Sequence, residues 1–381
     1  MSGSSSSSSP TNNKMFSMED IAKMNNKNTG TYLVVIIVVV LVLYGLYNYY
    51  IYTLNGRNCD FMSSTYSDLD GYIVPISKSD PDCSGNMFDY YIKTAYNACS
   101  GGSYRNDFVD VCNLKAVIRQ GVRCLDFQVF SLDSKPVVAT STSSDYFVKE
   151  TFNHVYFGDV MRIINDYAFS DGTCPNPTDP IIIHLRIFST NQKMFDNLTT
   201  IFSEYDKMLG RQFSDETDGE NLGKRPLTDF MGKIILAVDR SNTAFLESST
   251  FIEFVNITSN SIFMRSYRYY DIVNNPDVAE VTDFNRSGMT IVLPDNEINP
   301  SNPSGFLCRM YGCQMVAMRY QYVDNFLLAD TIFFQRGGYA FVLKPPRLRY
   351  IPLEIRDPRP QDKNLSYETR TFGNDYFSMD I

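Results

Sequence analysis

The sequence is poor in histidine, carries no excess of positive charge and contains no tryptophan. Its 381 residues include only two histidines, and 34 lysines and arginines are outnumbered by 43 aspartates and glutamates, which gives a formal net charge of −9. No basic stripe is visible, so the composition argues against nucleic acid as a partner. Any chemistry that requires a histidine has only His154 and His184 to use.

Charge is also missing from one long stretch near the N-terminus. No charged residue occurs between Lys27 and Arg57, and residues 31–54 are mostly Val, Ile, Leu and Tyr. As a helix, residues 32–52 would measure about 30 Å, the thickness of a hydrocarbon core. A buried strand of that length is excluded, and a cleaved signal peptide would have a shorter apolar region closer to the first residue. We expect a retained, single transmembrane helix over residues 31–54.

The flanks of this span predict its orientation. Lys14, Lys23 and Lys27 precede it, whereas only Arg57 follows closely. The positive-inside rule therefore predicts a cytosolic N-terminus and a non-cytosolic main domain, in a cellular, vesicle or viral membrane. The serine-rich residues 1–30 are typical of a disordered tail, with a phosphorylated or partner-binding tail as the alternative.

Residues 121–130, GVRCLDFQVF, have the alternation of a strand. Cys124, Asp126 and Gln128 share one face, and the two polar residues lie at its C-terminal end. In a closed parallel barrel, binding or catalysis takes place at this end of the strands. An edge strand with a solvated end is the alternative for a strand considered alone.

Several segments together resemble the phosphoinositide-specific phospholipase C family. Residues 121–128 resemble its GCRC-(V/L)-E-x-D strand, and residues 180–186, PIIIHLR, resemble P-(V/I)-I-L-S-L-E. Residues 312–317, GCQMVA, and 337–345, GGYAFVLKP, resemble the family's GCQMVA and GGCGYVLKP, and the motifs occur in the family's order.

The resemblance covers roughly residues 86–350 and implies an α/β fold, a (β/α)8 TIM barrel of phospholipase C type preceded by the single transmembrane helix. The expected organisation is a tail (1–30), the transmembrane helix (31–54), a cysteine-containing stalk (55–85), an X-like half-barrel (86–210), an acidic linker (211–226), a Y-like half-barrel (227–350) and a C-terminal tail (351–381).

The family cleaves a phosphodiester with two histidines and, in its eukaryotic branch, a calcium ion. The resemblance places Tyr96 and Thr140 at the two histidine positions. Neither side chain titrates near neutral pH. His154 is expected on the surface, and His184 is either a core histidine with its hydrogen bonds satisfied or a displaced base.

The implied calcium positions are also altered. Asn97 matches the family, whereas Asp126, Gln128 and Arg186 replace Glu, Asp and Glu. Calcium prefers several oxygen ligands with a net negative charge, so no calcium and no other cofactor is expected. Arg186 is expected within salt-bridge reach of Asp126, with Asn97 or Gln128 beside the pair. The positions that resemble the family's phosphate-binding segments hold Ala237, Asp239, Ile291 and Leu293.

These observations predict a membrane-anchored barrel that lacks the catalytic histidines and most calcium ligands, and that serves as a structural or binding protein. One alternative is a phosphatidylinositol-type phosphodiesterase with a rebuilt site around His184 or Tyr96. Another is a module that binds inositol phosphates or lipids without turnover. The expected partners are the lipid membrane, through residues 32–52, and other proteins.

All eight cysteines follow the predicted span. Cys124 and Cys313 occupy positions where the family commonly has cysteine, and the other six are additional: Cys59, Cys83, Cys99, Cys112, Cys174 and Cys308. Together with glycosylation-type sequons at Asn197, Asn256, Asn285 and Asn364, they indicate an oxidising compartment. Scattered free thiols are the alternative. We expect at least one disulfide between two of these six cysteines, with Cys59, Cys83, Cys99 and Cys112 as the favoured set.

Overall fold

The computed structural model describes residues 26–143, 147–214, 221–350, 365 and 367–381. The chain forms two units, Met1–Arg349 and Tyr350–Ile381. The predicted serine-rich tail therefore lies almost wholly outside the described residues, as do residues 215–220 of the acidic linker and residues 351–364 of the C-terminal tail.

The first unit is built around parallel strands. Its strands are β1 (Tyr90–Ala95), β2 (Cys124–Leu132), β3 (Lys135–Ala139), β4 (Val155–Tyr156), β5 (Ile181–Phe188), β6 (Ile234–Asp239), β7 (Ile257–Ser259), β8 (Met264–Arg268), β9 (Met289–Leu293), β10 (Met315–Met318) and β11 (Phe341–Leu343). Eight of the described strands follow the order β7-β6-β5-β2-β1-β10-β9-β8 and form a nearly closed barrel. The expected barrel is thus confirmed.

Helices surround the barrel. They are α1 (Asn26–Thr65), α2 (Val111–Arg119), α3 (Phe157–Tyr167), α4 (Gln192–Ser203), α5 (Tyr269–Val273), α6 (Val278–Ser287), α7 (Gly305–Met310) and α8 (Asn325–Gly337). The apolar periodicity predicts a longer α4, from Asn191 to Leu209. The helix ends earlier because the following chain pairs with the barrel, where the Leu209 amide donates to the Ile234 carbonyl at 2.9 Å.

Both faces of most barrel strands are buried, as covered parallel strands require, whereas β8 is half-buried beyond Met264. Inside the barrel, Cys124, Ile182 and Ile235 belong to one apolar cluster. On the outer face, Leu125 and Ile183 belong to a second cluster, which the helices cover. The alternation predicted for residues 121–130 therefore separates the barrel interior from the helix-packed face.

Helix α1 is longer than the predicted span. It is described from Asn26 to Thr65, and its section from Gly30 is long and apolar enough to cross a membrane by length and composition. The large apolar side chains of residues 32–50 are exposed, Leu54 is buried, and Met62 belongs to the apolar cluster on the outer face of the barrel.

The interpretation of residues 55–85 as a stalk does not match the structure. The second half of α1 packs on the barrel, and Ile73, Ile76 and Cys83 are buried beyond it. The apolar side chains of this stretch that are buried are separated along the sequence by polar or exposed residues, so the polar composition did not indicate their burial.

The expected disulfide is confirmed between Cys59 and Cys112, whose Cα atoms are 5.7 Å apart. It joins α1 to the first turn of α2. The remaining cysteines are reduced and buried: Cys83, Cys99, Cys124, Cys174, Cys308 and Cys313.

Among its described residues, the second unit contains an antiparallel hairpin of β12 (Thr371–Asn374) and β13 (Phe377–Asp380).

Candidate functional site

The C-terminal ends of β1, β2 and β5 bring together the polar residues that the sequence singled out. Asp126 on β2 lies opposite His184 on β5, and Gln128 lies opposite Arg186. Asn97 follows the end of β1. In a parallel barrel these strand ends form one mouth, and the register therefore gathers these side chains at its centre.

The centre of the mouth is an ion pair between Arg186 and Asp126, as expected. Arg186 Nε donates to Asp126 Oδ1 at 2.9 Å, and Arg186 Nη2 donates to Oδ2 at 2.6 Å. Both side chains are almost completely buried. This two-point contact uses the planar fork of the guanidinium.

Asn97 forms hydrogen bonds with both members of this ion pair. Its side-chain oxygen accepts from Arg186 Nη2 at 3.0 Å, and its backbone amide donates to Asp126 Oδ2 at 3.2 Å. The backbone of Asn97 has a positive φ of 44°. Asparagine tolerates this left-handed conformation better than most residues, which fits its presence at the tight turn after β1.

His184 is a buried histidine with both ring nitrogens bonded. Nδ1 lies 2.8 Å from Asp126 Oδ1, and Nε2 lies 2.9 Å from the Ser259 hydroxyl. The Ser259 hydroxyl also lies 3.1 Å from Asp239 Oδ2. These contacts agree with the interpretation of His184 as a core histidine with its hydrogen bonds satisfied. His154 lies partly exposed in the loop before α3, beside the Tyr156 ring.

The two positions that resemble family histidines hold side chains with structural contacts. The Arg186 guanidinium lies over the Tyr96 ring, 4.7 Å from its centre, and Arg268 Nη1 donates to the Tyr96 hydroxyl at 3.1 Å. The Thr140 hydroxyl donates to the Tyr104 carbonyl at 2.9 Å. Both side chains are buried.

Charge in the mouth shifts two pKa values. Burial by itself raises the pKa of Asp126, but the charge of Arg186 and the hydrogen bonds from His184 and Arg186 outweigh it and hold the pKa well below its usual range. Burial likewise raises the pKa of the Tyr96 hydroxyl, but the charges of Arg186 and Arg268 together bring it below its ordinary value. Asp126 is therefore ionised, and its negative charge is balanced by the positive charge of Arg186.

Gln128 does not join the ion pair. Its side-chain oxygen accepts from the Ser141 amide at 2.7 Å and its Nε2 donates to the Ser141 carbonyl at 3.0 Å. This pair of bonds fixes the loop that follows β3. Of the two amides considered beside Arg186, only Asn97 takes that place.

The four implied phosphate-binding positions do not form a phosphate-binding site. Ala237, Ile291 and Leu293 are apolar members of the barrel interior. Asp239 lies at the end of β6, where its carboxylate accepts from the Ser241 amide at 2.7 Å and from Asn260 Nδ2 at 3.1 Å. None of these four residues offers a positive charge to a phosphate.

A cavity of about 220 Å³ opens at the mouth beside the ion pair. Arg186 and Arg268 both line it, together with Asp239 and Asn260. Arg186 Nη1 is buried and has no hydrogen-bond partner among the described residues. Sequence reasoning missed Arg268, Ser259 and Asn260, because they lie on β7, β8 and their connection, where no family motif was recognised.

The comparisons with known proteins agree with this architecture. The family described as phosphatidylinositol-specific phospholipase C, X domain, matches residues 84–240, and the corresponding Y domain matches residues 242–347. No curated protein sequence matches the chain.

Two solved structures show the same fold. PLC21 from L. pealei has a TM-score of 0.57 at 19% identity, and PLC21 from S. officinalis has a TM-score of 0.57 at 18% identity. Each alignment covers 70% of this chain but 38% of the other, so this chain spans less than half the length of these proteins. By its X and Y domains, the chain belongs to the phosphatidylinositol-specific phospholipase C family.

Proposed function

We propose that this protein is a membrane-tethered member of the family that acts by binding or as a scaffold, without phosphodiesterase turnover. The observation that carries the proposal is the buried ion pair at the mouth, in which Asp126 and Asn97 hold the Arg186 guanidinium. In the family, the resemblance assigns these positions to calcium ligands.

The residues present do not suit a calcium ion. Asp126 Oδ1 already contacts Arg186 and His184, and Oδ2 already contacts Arg186 and the Asn97 amide. A carboxylate has about four acceptor sites, so Asp126 has no free site to offer a metal. The adjacent guanidinium is permanently charged and would repel a cation.

General acid–base catalysis also lacks its usual groups. Thr140 carries an aliphatic hydroxyl, and Tyr96 is buried with its hydroxyl bonded to Arg268. His184 is enclosed between Asp126 and Ser259. Each properly placed acid or base contributes about 10²–10⁴-fold in rate, so the loss of both family histidines supports very low turnover.

The membrane tether rests on α1. Residues 32–52 carry no charge and expose a mostly apolar surface, in which Asn48 is a polar side chain, over the length that a bilayer requires. The N-terminal lysines favour a cytosolic N-terminus, with the barrel on the opposite side of a cellular, vesicle or viral membrane.

The test is release of inositol phosphates from vesicles that contain phosphatidylinositol, measured with and without calcium for the full-length protein. A calcium-dependent phospholipase C in the same vesicles serves as the positive control. We expect a rate equal to that of vesicles alone. Turnover that His184→Ala or Tyr96→Phe abolishes would instead establish a phosphodiesterase with a rebuilt site.

A second candidate function is binding of an anionic headgroup or inositol phosphate at the mouth. It is favoured by Arg186 Nη1, which has no hydrogen-bond partner in the described part of the chain, and by Arg268, which lines the same cavity as Arg186. Calorimetric titration with inositol phosphates would detect such binding, and Arg268→Met should weaken it. A heat signal unchanged by this substitution would place the ligand elsewhere.

A further inference from the structure

Only a very short segment of helix α1 separates the proposed span from the barrel. On one face of α1, Tyr47 is 58% exposed, Ile51 is half-buried and Leu54 is 8% exposed. Leu54 lies two residues after the end of the proposed span at Tyr52. Two residues of helix rise about 3 Å. Since the helix continues without a break from Asn26 to Thr65, the barrel must lie directly against the membrane surface if residues 32–52 span the bilayer.

Specific contacts fix the second half of α1 to the barrel. Asn55 Nδ2 donates to Asp110 Oδ2 at 3.1 Å, and Asn58 Nδ2 donates to Asp107 Oδ1 at 2.8 Å. The next residue, Cys59, forms its disulfide with Cys112 on the barrel helix α2. These contacts fix the second half of α1 rigidly against the barrel, and α1 can therefore act as a rigid mount for the barrel.

The same contacts give the direction in which the span leaves the barrel. Helix α2 connects β1 to the parallel strand β2, so its first residues lie at the mouth and its last residues at the opposite end. Asn55 contacts Asp110 at the start of α2, whereas the Asp70 amide donates to the Arg119 carbonyl at its end. Residues 54–70 thus run from the mouth towards the opposite end, and residues 30–52 project beyond the mouth.

The loops around the mouth expose apolar side chains. Val148 is 60% exposed in the loop after β3, and this loop is joined to the region beside α1 because the Phe152 amide donates to the Asp107 carbonyl at 2.9 Å. Ile298 and Val323 are exposed in the loops after β9 and β10. Phe147 and Tyr322 are exposed in the same loops, and Tyr270 and Val273 are exposed on the short helix α5, which follows β8.

We infer that α1 holds the barrel with its mouth facing the bilayer that α1 spans, so that these apolar mouth loops contact its lipid. The inference rests on the proposed tether and adds to it the orientation and the lipid-facing surface. The continuous helix keeps the barrel close to the membrane, and the contacts of α1 with α2 determine that the span leaves the barrel on the side of the mouth. The exposed apolar side chains of the mouth suit the hydrocarbon boundary of the membrane.

The absence of tryptophan makes this geometry measurable, because a single introduced tryptophan is a unique fluorophore. We would compare Val323→Trp and Ile298→Trp at the mouth with Tyr72→Trp at the opposite end of the barrel. Tyr72 is 69% exposed and lies beside Asp70. Each full-length variant is reconstituted into vesicles with bromine-labelled lipids, which quench tryptophan only at close range.

We expect strong quenching for Val323→Trp and Ile298→Trp and little for Tyr72→Trp. Inserting a flexible glycine–serine segment between Tyr52 and Thr53 should reduce quenching at the mouth while the protein stays in the membrane. Unchanged quenching after this insertion would overturn the role of α1 as a mount.

Carbonate washing distinguishes a failure of the proposed tether from a failure of the proposed orientation. Release of the chain from the membrane would overturn the tether itself and the orientation with it. Retention of the chain with equal quenching at both ends, or with quenching only in Tyr72→Trp, would overturn the orientation and leave the tether intact. Far-ultraviolet circular dichroism checks that each variant is folded.

Discussion

Replacing Arg186 with methionine should destabilise the barrel by several kilocalories per mole. The substitution removes three hydrogen bonds, two to Asp126 and one to Asn97, and leaves the Asp126 carboxylate buried. Breaking a buried ion pair on one side typically costs about 3–5 kcal/mol, because the remaining charge is neither hydrated nor neutralised. His184 still contacts Asp126, so we expect a loss near the lower end of this range.

The double variant Asp126→Asn with Arg186→Met separates the effect of an unpaired Asp126 charge from the effect of the lost hydrogen bonds. The asparagine side chain keeps a polar contact with His184 but leaves no unpaired charge in the barrel. We therefore expect the double variant to be more stable than Arg186→Met alone, although it lacks more of the original interactions.

The same substitution predicts a change with pH. In the wild-type protein the pKa of Asp126 is lowered on folding, so this carboxylate contributes stability above its unfolded pKa of about 3.9 and the contribution is lost as the pH falls through the folded pKa. Without Arg186, the effect of burial, which raises the pKa, is no longer outweighed by the guanidinium charge. The difference between wild type and Arg186→Met should thus be largest near neutral pH and should shrink as the pH approaches 4.

Urea unfolding in detergent micelles, followed by circular dichroism at several pH values, measures both effects. Arg265→Met is a matched control, since Arg265 makes two hydrogen bonds to Glu280 on the surface, at 2.8 Å and 2.6 Å. A partly exposed pair is worth about 1 kcal/mol or less. If Arg186→Met costs no more than Arg265→Met, or if its cost does not change with pH, the ion pair is not the centre of the mouth as described.

Three further predictions concern other parts of the molecule. Replacing Cys59 and Cys112 with serine should lower the free energy of unfolding by about 4 kcal/mol, from the loss of a closed loop of 53 residues, and an unchanged urea midpoint would show that the bond does not constrain the unfolded chain. Burial lowers the pKa of Lys344 to about 7, so the unfolded chain binds more protons between about pH 7 and 10.4. Wild-type stability should therefore rise over this range relative to Lys344→Met, and parallel pH profiles would contradict the assignment. Introducing both Tyr96→His and Thr140→His should leave phosphatidylinositol hydrolysis undetectable, because Arg186 remains in the mouth; measurable turnover would show that the histidines alone were missing.

The framework of the barrel could be predicted because its signals are local. The alternation of residues 121–130 predicts a strand. The barrel itself was implied by the resemblance of several motifs, GCQMVA at residues 312–317 among them, to the phospholipase C family in the family's order. The pairing of Arg186 with Asp126 was also predictable, because polar side chains near the C-terminal ends of two adjacent parallel strands lie close together, although Arg186 is opposite Gln128 in the register and reaches Asp126 diagonally.

Other features depend on contacts that no local pattern records. The polar composition of residues 55–85 gave no indication that Met62 and Ile73 would be buried against the barrel. The hydrogen bond of His184 to Ser259 joins β5 to β7 across β6, and β7 has only three residues. Gln128 bonds to Ser141 because β3 folds back beside β2, and this antiparallel pairing lies outside the regular alternation of strands and helices.

Calorimetric titration of calcium into the detergent-solubilised full-length protein tests most directly whether Arg186 has taken the place of a metal ion. Asp126→Asn serves as the matched control, because it removes the only carboxylate among the four implied calcium positions. The ion pair at the mouth predicts the same signal for wild type and Asp126→Asn, with no saturable heat beyond that of dilution. Saturable calcium binding by the wild type that Asp126→Asn abolishes would contradict it.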